Sequence, residues 1–73
     1  MRLNRRAKYK DYSTEHMEYI IGQWVRGDLN RKIWHLWLID VLTYEKIAEK
    51  LDISDKTVGR CIRDYDKRVF LHL

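Results

Sequence analysis

The chain has 73 residues, 15 Lys and Arg against 11 Asp and Glu, and a formal net charge of +4. That length holds one small domain, which buries only about 60% of the surface its unfolded chain exposes and leaves little depth for a catalytic cleft. Cys61 is the single cysteine, so an internal disulfide and a zinc site built on several thiolates are excluded. There is no secretory pattern at the start, and the longest apolar run, residues 33–42, is broken by His35 and Asp40 and is too short to cross a bilayer. A cytoplasmic protein with no membrane partner is expected.

The charge is uneven. Residues 1–12 carry Arg2, Arg5, Arg6, Lys8 and Lys10 against Asp11, a net +4, whereas residues 13–42 carry −1 and residues 43–73 carry +1. Residues 1–12 show no apolar periodicity and read as a flexible basic arm, followed by a helical domain over residues 13–73. An excess held in an arm, with a nearly balanced body behind it, suggests an anionic partner.

In chain order, Ser13 or Thr14 is suited to cap a first helix, with Glu15 in the first turn where the helix dipole favours an anion. Met17, Ile20, Ile21 and Trp24 repeat at helical spacing and predict its apolar stripe, with Tyr19, Gln23 and Arg26 on the far side. Gly27 and Asp28 end it. A second helix is expected over residues 29–39. Its seam is Leu29, Ile33, Leu36 and Trp37, but Trp34, Leu38 and Ile39 carry apolar surface nearly all round. Such a helix is either buried between the others or forms a homodimer seam through Trp34 and Leu38.

Thr43 predicts the cap of a third helix over residues 44–51, with Ile47, Ala48 and Leu51 inward. Asp52 takes the turn, since Asp tolerates the left-handed region better than most residues. Ile53 plugs the core, and Ser54 caps a fourth helix running to Val69 or Phe70. The fold class is all-α: a small four-helix domain whose last two helices, joined by a short turn with Ala48 at the crossing, form a helix-turn-helix.

The fourth helix has two faces. If Val58, Ile62, Tyr65 and Val69 form the buried seam, Lys56, Arg60, Arg63 and Lys67 fall roughly 140–200° from Val58. A cationic edge opposite an apolar one suits insertion into a DNA major groove. Lys56, Thr57 and Arg60, near the amino end, are the candidates to reach base edges; Arg63 and Lys67 are candidates for phosphates. Gly59 is expected to let the backbone approach a base or sugar. The backbone N–H groups of Thr43 and Tyr44, with the Tyr44 hydroxyl, are suited to a phosphate. Arg5 and Arg6 are the residues to enter a minor groove if the arm reads one. Asp55, Asp64 and Asp66 flank the stripe and moderate affinity.

The stretch LTYEKIAEKLDISDKTVGRCIRD, residues 42–64, resembles region 4 of bacterial sigma-70-type factors and, more broadly, the effector domains of response regulators. The resemblance lies in Leu42-Thr43-Tyr44-Glu45, Ile47-Ala48, Leu51-Asp52-Ile53-Ser54 and Thr57-Val58, with RKIWHLWLI resembling the preceding helix, and covers residues 29–70. It implies a transcription regulator that recognises promoter-type or operator-type double-stranded DNA through the fourth helix. A stand-alone protein of a phage or mobile element is the form it suggests. It also implies RNA polymerase as a partner. Val41 stands where that family has Gly, Asp52 replaces the turn Gly, and Cys61 and Asp64 occupy places often basic in it. A sigma factor opens DNA with a second domain, for which 73 residues leave no room.

Other chemistry lacks a motif. His16, His35 and His72 have no partner at ligand spacing, so neither a metal nor a cofactor is expected. No phosphate-cradling glycine loop or nucleophile–base pair is present, and an enzyme is not expected. The competing reading is a protein-interaction module that binds RNA polymerase or another regulator with weak DNA contact.

Overall fold

The computed structural model describes residues 5–73, Arg5 by its backbone only. Among them every regular element is helical: a 3-10 helix (Arg5–Tyr9), α1 (Thr14–Trp24), α2 (Asp28–Trp34), a π-helical turn (His35–Ile39), α3 (Tyr44–Leu51) and α4 (Asp55–Leu71). No helix among the described residues is long and apolar enough to cross a membrane.

Local chemistry sets the boundaries. Ser13, Thr43 and Ser54 each adopt extended backbone and accept the N–H three residues on, at 3.1, 3.2 and 3.1 Å, so each satisfies a donor that the helix start leaves orphaned. Between α1 and α2 the chain turns at Gly27, whose φ of 90° suits only glycine. The α3–α4 turn closes in a Schellman arrangement: Asp52 is left-handed at φ 55°, and the Ile53 N–H donates to the Ala48 carbonyl at 3.0 Å.

The second helix does not run evenly. After Trp34 the hydrogen bonding widens by one residue, so that the Asp40 N–H donates to the His35 carbonyl at 3.2 Å; beyond the helix end the Leu42 N–H closes back on the Leu36 carbonyl at 3.0 Å. Val41 follows at φ 59°, a left-handed conformation that a β-branched residue adopts only under strain.

The core is aromatic at its centre. Trp34 is fully buried and meets Trp37 and Tyr9 edge-on at centroid distances of 5.2 and 6.3 Å, and its Nε1–H donates to the Cys61 carbonyl at 3.4 Å. Ile20, Ile21, Val25, Ile33, Leu38, Ile47, Val58, Ile62 and Val69 complete it. Because Trp34 and Leu38 are buried within one chain, a homodimer seam through these two side chains has no surface; that expectation is corrected in favour of burial between helices. Leu29, expected in the seam, lies outside it, because the second helix begins at Asp28 with its first turn exposed. Trp24 also leaves the expected stripe: its ring stacks on His72 at 3.5 Å, and Val25 fills the core instead.

The segment read as a loose arm is folded over residues 5–9. Tyr9 is 1% exposed, its hydroxyl donates to Asp66 Oδ1 at 2.7 Å, and Lys8 Nζ reaches Asp66 Oδ2 at 2.6 Å. The reason is the Tyr9 ring: inserted among Trp34, Trp37 and Phe70, it anchors a segment that has no periodicity of its own. Residues 1–4, with Arg2, lie outside the described residues.

Candidate nucleic-acid interface

The expected division of α4 is present. Val58, Ile62 and Val69 are fully buried, while Lys56, Arg60, Arg63 and Lys67 are all exposed on the opposite side. At 1.5 Å per residue the four cations span about 16 Å of helix. None of the four forms an ion pair with a described residue. A charge stripe of this kind, with no member held in an ion pair, concentrates positive potential along one edge.

Asp66 does not flank that stripe. It lies about 80° from Val58 on the helical wheel, and Lys8 and Tyr9 cover it, so its carboxylate is buried and neutralised from the inside. Asp55 and Asp64 remain exposed beside the cations. Gly59 is also corrected: it is buried, with the Tyr44 ring and the Arg63 guanidinium against it, so its backbone is not open to a base or sugar.

The remaining candidates fall into two groups. Thr57 is exposed near the start of α4, but its hydroxyl lies 2.8 Å from Ser54 Oγ and belongs to the cap. Thr43 Oγ1 likewise accepts the Lys46 N–H, leaving the backbone N–H groups at the start of α3 as that region's donors. Tyr44 is half-buried between Trp37, at a centroid distance of 6.5 Å, and Gly59. Arg6 is bound to the body: its guanidinium lies 5.5 Å from the Trp37 ring centroid and donates to the Leu42 carbonyl at 3.0 Å. Burial lowers its pKa, and the nearby Tyr44 opposes the shift. Arg6 therefore borders the amino end of α3, and would have to leave both contacts to enter a minor groove. The Arg5 side chain lies outside the described residues.

Two contacts bordering the cationic edge join residues that the sequence does not pair: Arg6 with Trp37, and Tyr44 with Gly59 and Arg63. The second had a signal, because Gly59 and Arg63 stand one helical turn apart. The first joins residues 31 apart in sequence, and no local spacing announces it.

The other reactive groups serve packing. Burial, reinforced by Asp64, pushes the Cys61 thiol up to about 11, which keeps it protonated at neutral pH. The His16 ring sits 3.1 Å from the Leu73 carbonyl, and His35 lies 3.6 and 3.7 Å from carboxylate oxygens of Glu18 and Asp40. Among the described residues no group of three or more His, Cys, Asp or Glu is arranged to hold a metal ion. No family model, curated protein or solved structure matches this chain.

Proposed function

We propose that the chain binds double-stranded DNA sequence-specifically, as a helix-turn-helix transcription regulator of the sigma-70 region 4 type, with α4 in the major groove. One observation carries this reading: α4 is held by its apolar edge while Lys56, Arg60, Arg63 and Lys67 are exposed along the opposite edge and form no ion pair with a described residue. Lys56, Thr57 and Arg60 take the base edges. Arg63 and Lys67 take phosphates, as do the Thr43 and Tyr44 backbone N–H groups at the start of α3.

The test is fluorescence anisotropy with random-sequence duplex over a salt series, followed by selection from random duplexes. Two of the phosphate contacts, those of Arg63 and Lys67, neutralise charge and give a slope of log K against log[salt] of about −1.8. Arg60→Ala changes the selected sequence, whereas Lys67→Ala weakens all duplexes alike. A flat salt titration refutes the reading.

A second reading, a module that binds RNA polymerase or another regulator, is favoured by Val41. This strained apolar residue is 61% exposed and lines a cavity of about 400 Å³ with Met17, Leu38 and Lys10. Retention of polymerase on the immobilised protein at salt that abolishes DNA binding separates the two.

A further inference from the structure

Gly59 lies about 100° from Val58 around α4, on the border between the buried seam and the cationic edge. A Cβ there would stand 3.3 Å from Arg63 Nη1, 3.4 Å from Tyr44 Cε2 and 3.7 Å from Tyr44 Cδ2. A Cβ on the other helical glycine, Gly22, would have nothing within 4 Å, so occupation is a property of Gly59 and not of helical glycines in general. Arg63 thus folds back one turn toward the amino end of α4, the direction helical side chains favour. There its guanidinium and the edge of the Tyr44 ring, which also meets Trp37 at a centroid distance of 6.5 Å, converge on the Gly59 position.

We propose that Gly59 is a positioning residue for DNA binding: its missing side chain leaves a notch that seats the Tyr44 ring edge and the Arg63 guanidinium together, fixing Arg63 as a phosphate contact beside the start of α3. The inference rests on the reading of α4 as the DNA-facing helix. An exposed arginine ordinarily loses rotamer freedom when it captures a phosphate, and a guanidinium already seated loses less. The planar fork also keeps its orientation toward a bidentate acceptor.

Gly59→Ala adds one methyl at 3.3 Å from the flexible end of Arg63 and 3.4 Å from the half-buried Tyr44 ring, so Arg63 gives way first. Alanine is the better helix former, and the variant melts no lower than the parent. Gly59→Ala and Arg63→Ala each weaken duplex binding by about threefold to tenfold and reduce the salt slope by about 0.9. Because both act through Arg63, the double variant binds no more weakly than Arg63→Ala alone. In the free protein, the Arg63 side-chain N–H resonances lie away from the random-coil position and return toward it in Gly59→Ala. Additive losses, unchanged binding by Gly59→Ala, or a random-coil Arg63 resonance in the parent would overturn the proposal while leaving DNA binding intact. A parent protein whose duplex binding ignores salt overturns the functional reading itself and this inference with it.

Discussion

Replacing Tyr9 with Phe tests whether the amino-terminal segment is part of the fold. The ring keeps its place among Trp34, Trp37 and Phe70, and only the hydroxyl is lost. That hydroxyl donates to Asp66 Oδ1 at 2.7 Å, and the Asp66 side chain is 8% exposed. Removing a hydrogen bond from a buried charged acceptor costs about 1.5–3 kcal/mol. A domain of this length has a total stability of about 4–11 kcal/mol, so the loss is a large fraction. Each kcal/mol lowers the melting midpoint of so small a domain by about 4–8 °C, giving a fall of about 8–16 °C for 2 kcal/mol. Urea and thermal melts followed by circular dichroism measure it directly. Deleting residues 1–12 also removes the Tyr9 ring and should cost more. A Tyr9→Phe change below about 0.5 kcal/mol, the range of an ordinary surface substitution, refutes the docked segment and returns residues 5–9 to a loose arm.

Three further outcomes follow from other parts of the molecule. Val41→Gly relieves the strain of a left-handed β-branched residue, about 1–2 kcal/mol, against a glycine entropy cost of about 0.5–1 kcal/mol. Since Val41 is mostly exposed, the variant should melt a few degrees higher, and a lower midpoint would show that the isopropyl group packs. The Cys61 thiol, at about 11 in the fold against 9.0 ordinarily, should react with a thiol reagent at pH 8 about a hundredfold more slowly than in denatured protein. The folded state holds that proton more tightly, so its contribution to stability is complete below pH 9.0 and is lost as pH rises through about 11. Melting midpoints across that window check the sign. Ala48→Leu places a larger side chain in the buried surface where α3 packs on α4 and should cost about 1–3 kcal/mol, read from urea melts; an unchanged midpoint would mean the crossing is loose.

The legible part of the fold is the part encoded locally. Ser13, Thr43 and Ser54 cap the helices because a short hydroxyl side chain reaches an N–H three residues away, and Thr43 and Asp52 mark both ends of α3 for local reasons. The orientation of α4 was also readable, because helical spacing alone separates Val58, Ile62 and Val69 from Lys56, Arg60, Arg63 and Lys67. Asp52 announced its own left-handed turn.

Failures came where distant residues decide. Tyr9 looked like one aromatic in a basic tail until its ring met Trp34 and its hydroxyl met a carboxylate 57 residues away. Asp66 changed from a surface acid to a buried latch through the same contact. Gly59 looked like an opening toward a ligand, and Tyr44 from the neighbouring helix fills it. The widened turn over residues 35–39 has no proline or glycine to mark it. By itself, then, the sequence determined the helices, their caps and the outward edge of α4, since each rests on neighbours within four residues. Only the tertiary structure decided what the amino-terminal segment covers, where Arg6 and Arg63 lie and whether Trp34 is core or interface, because those outcomes depend on which surfaces the packed helices bring together.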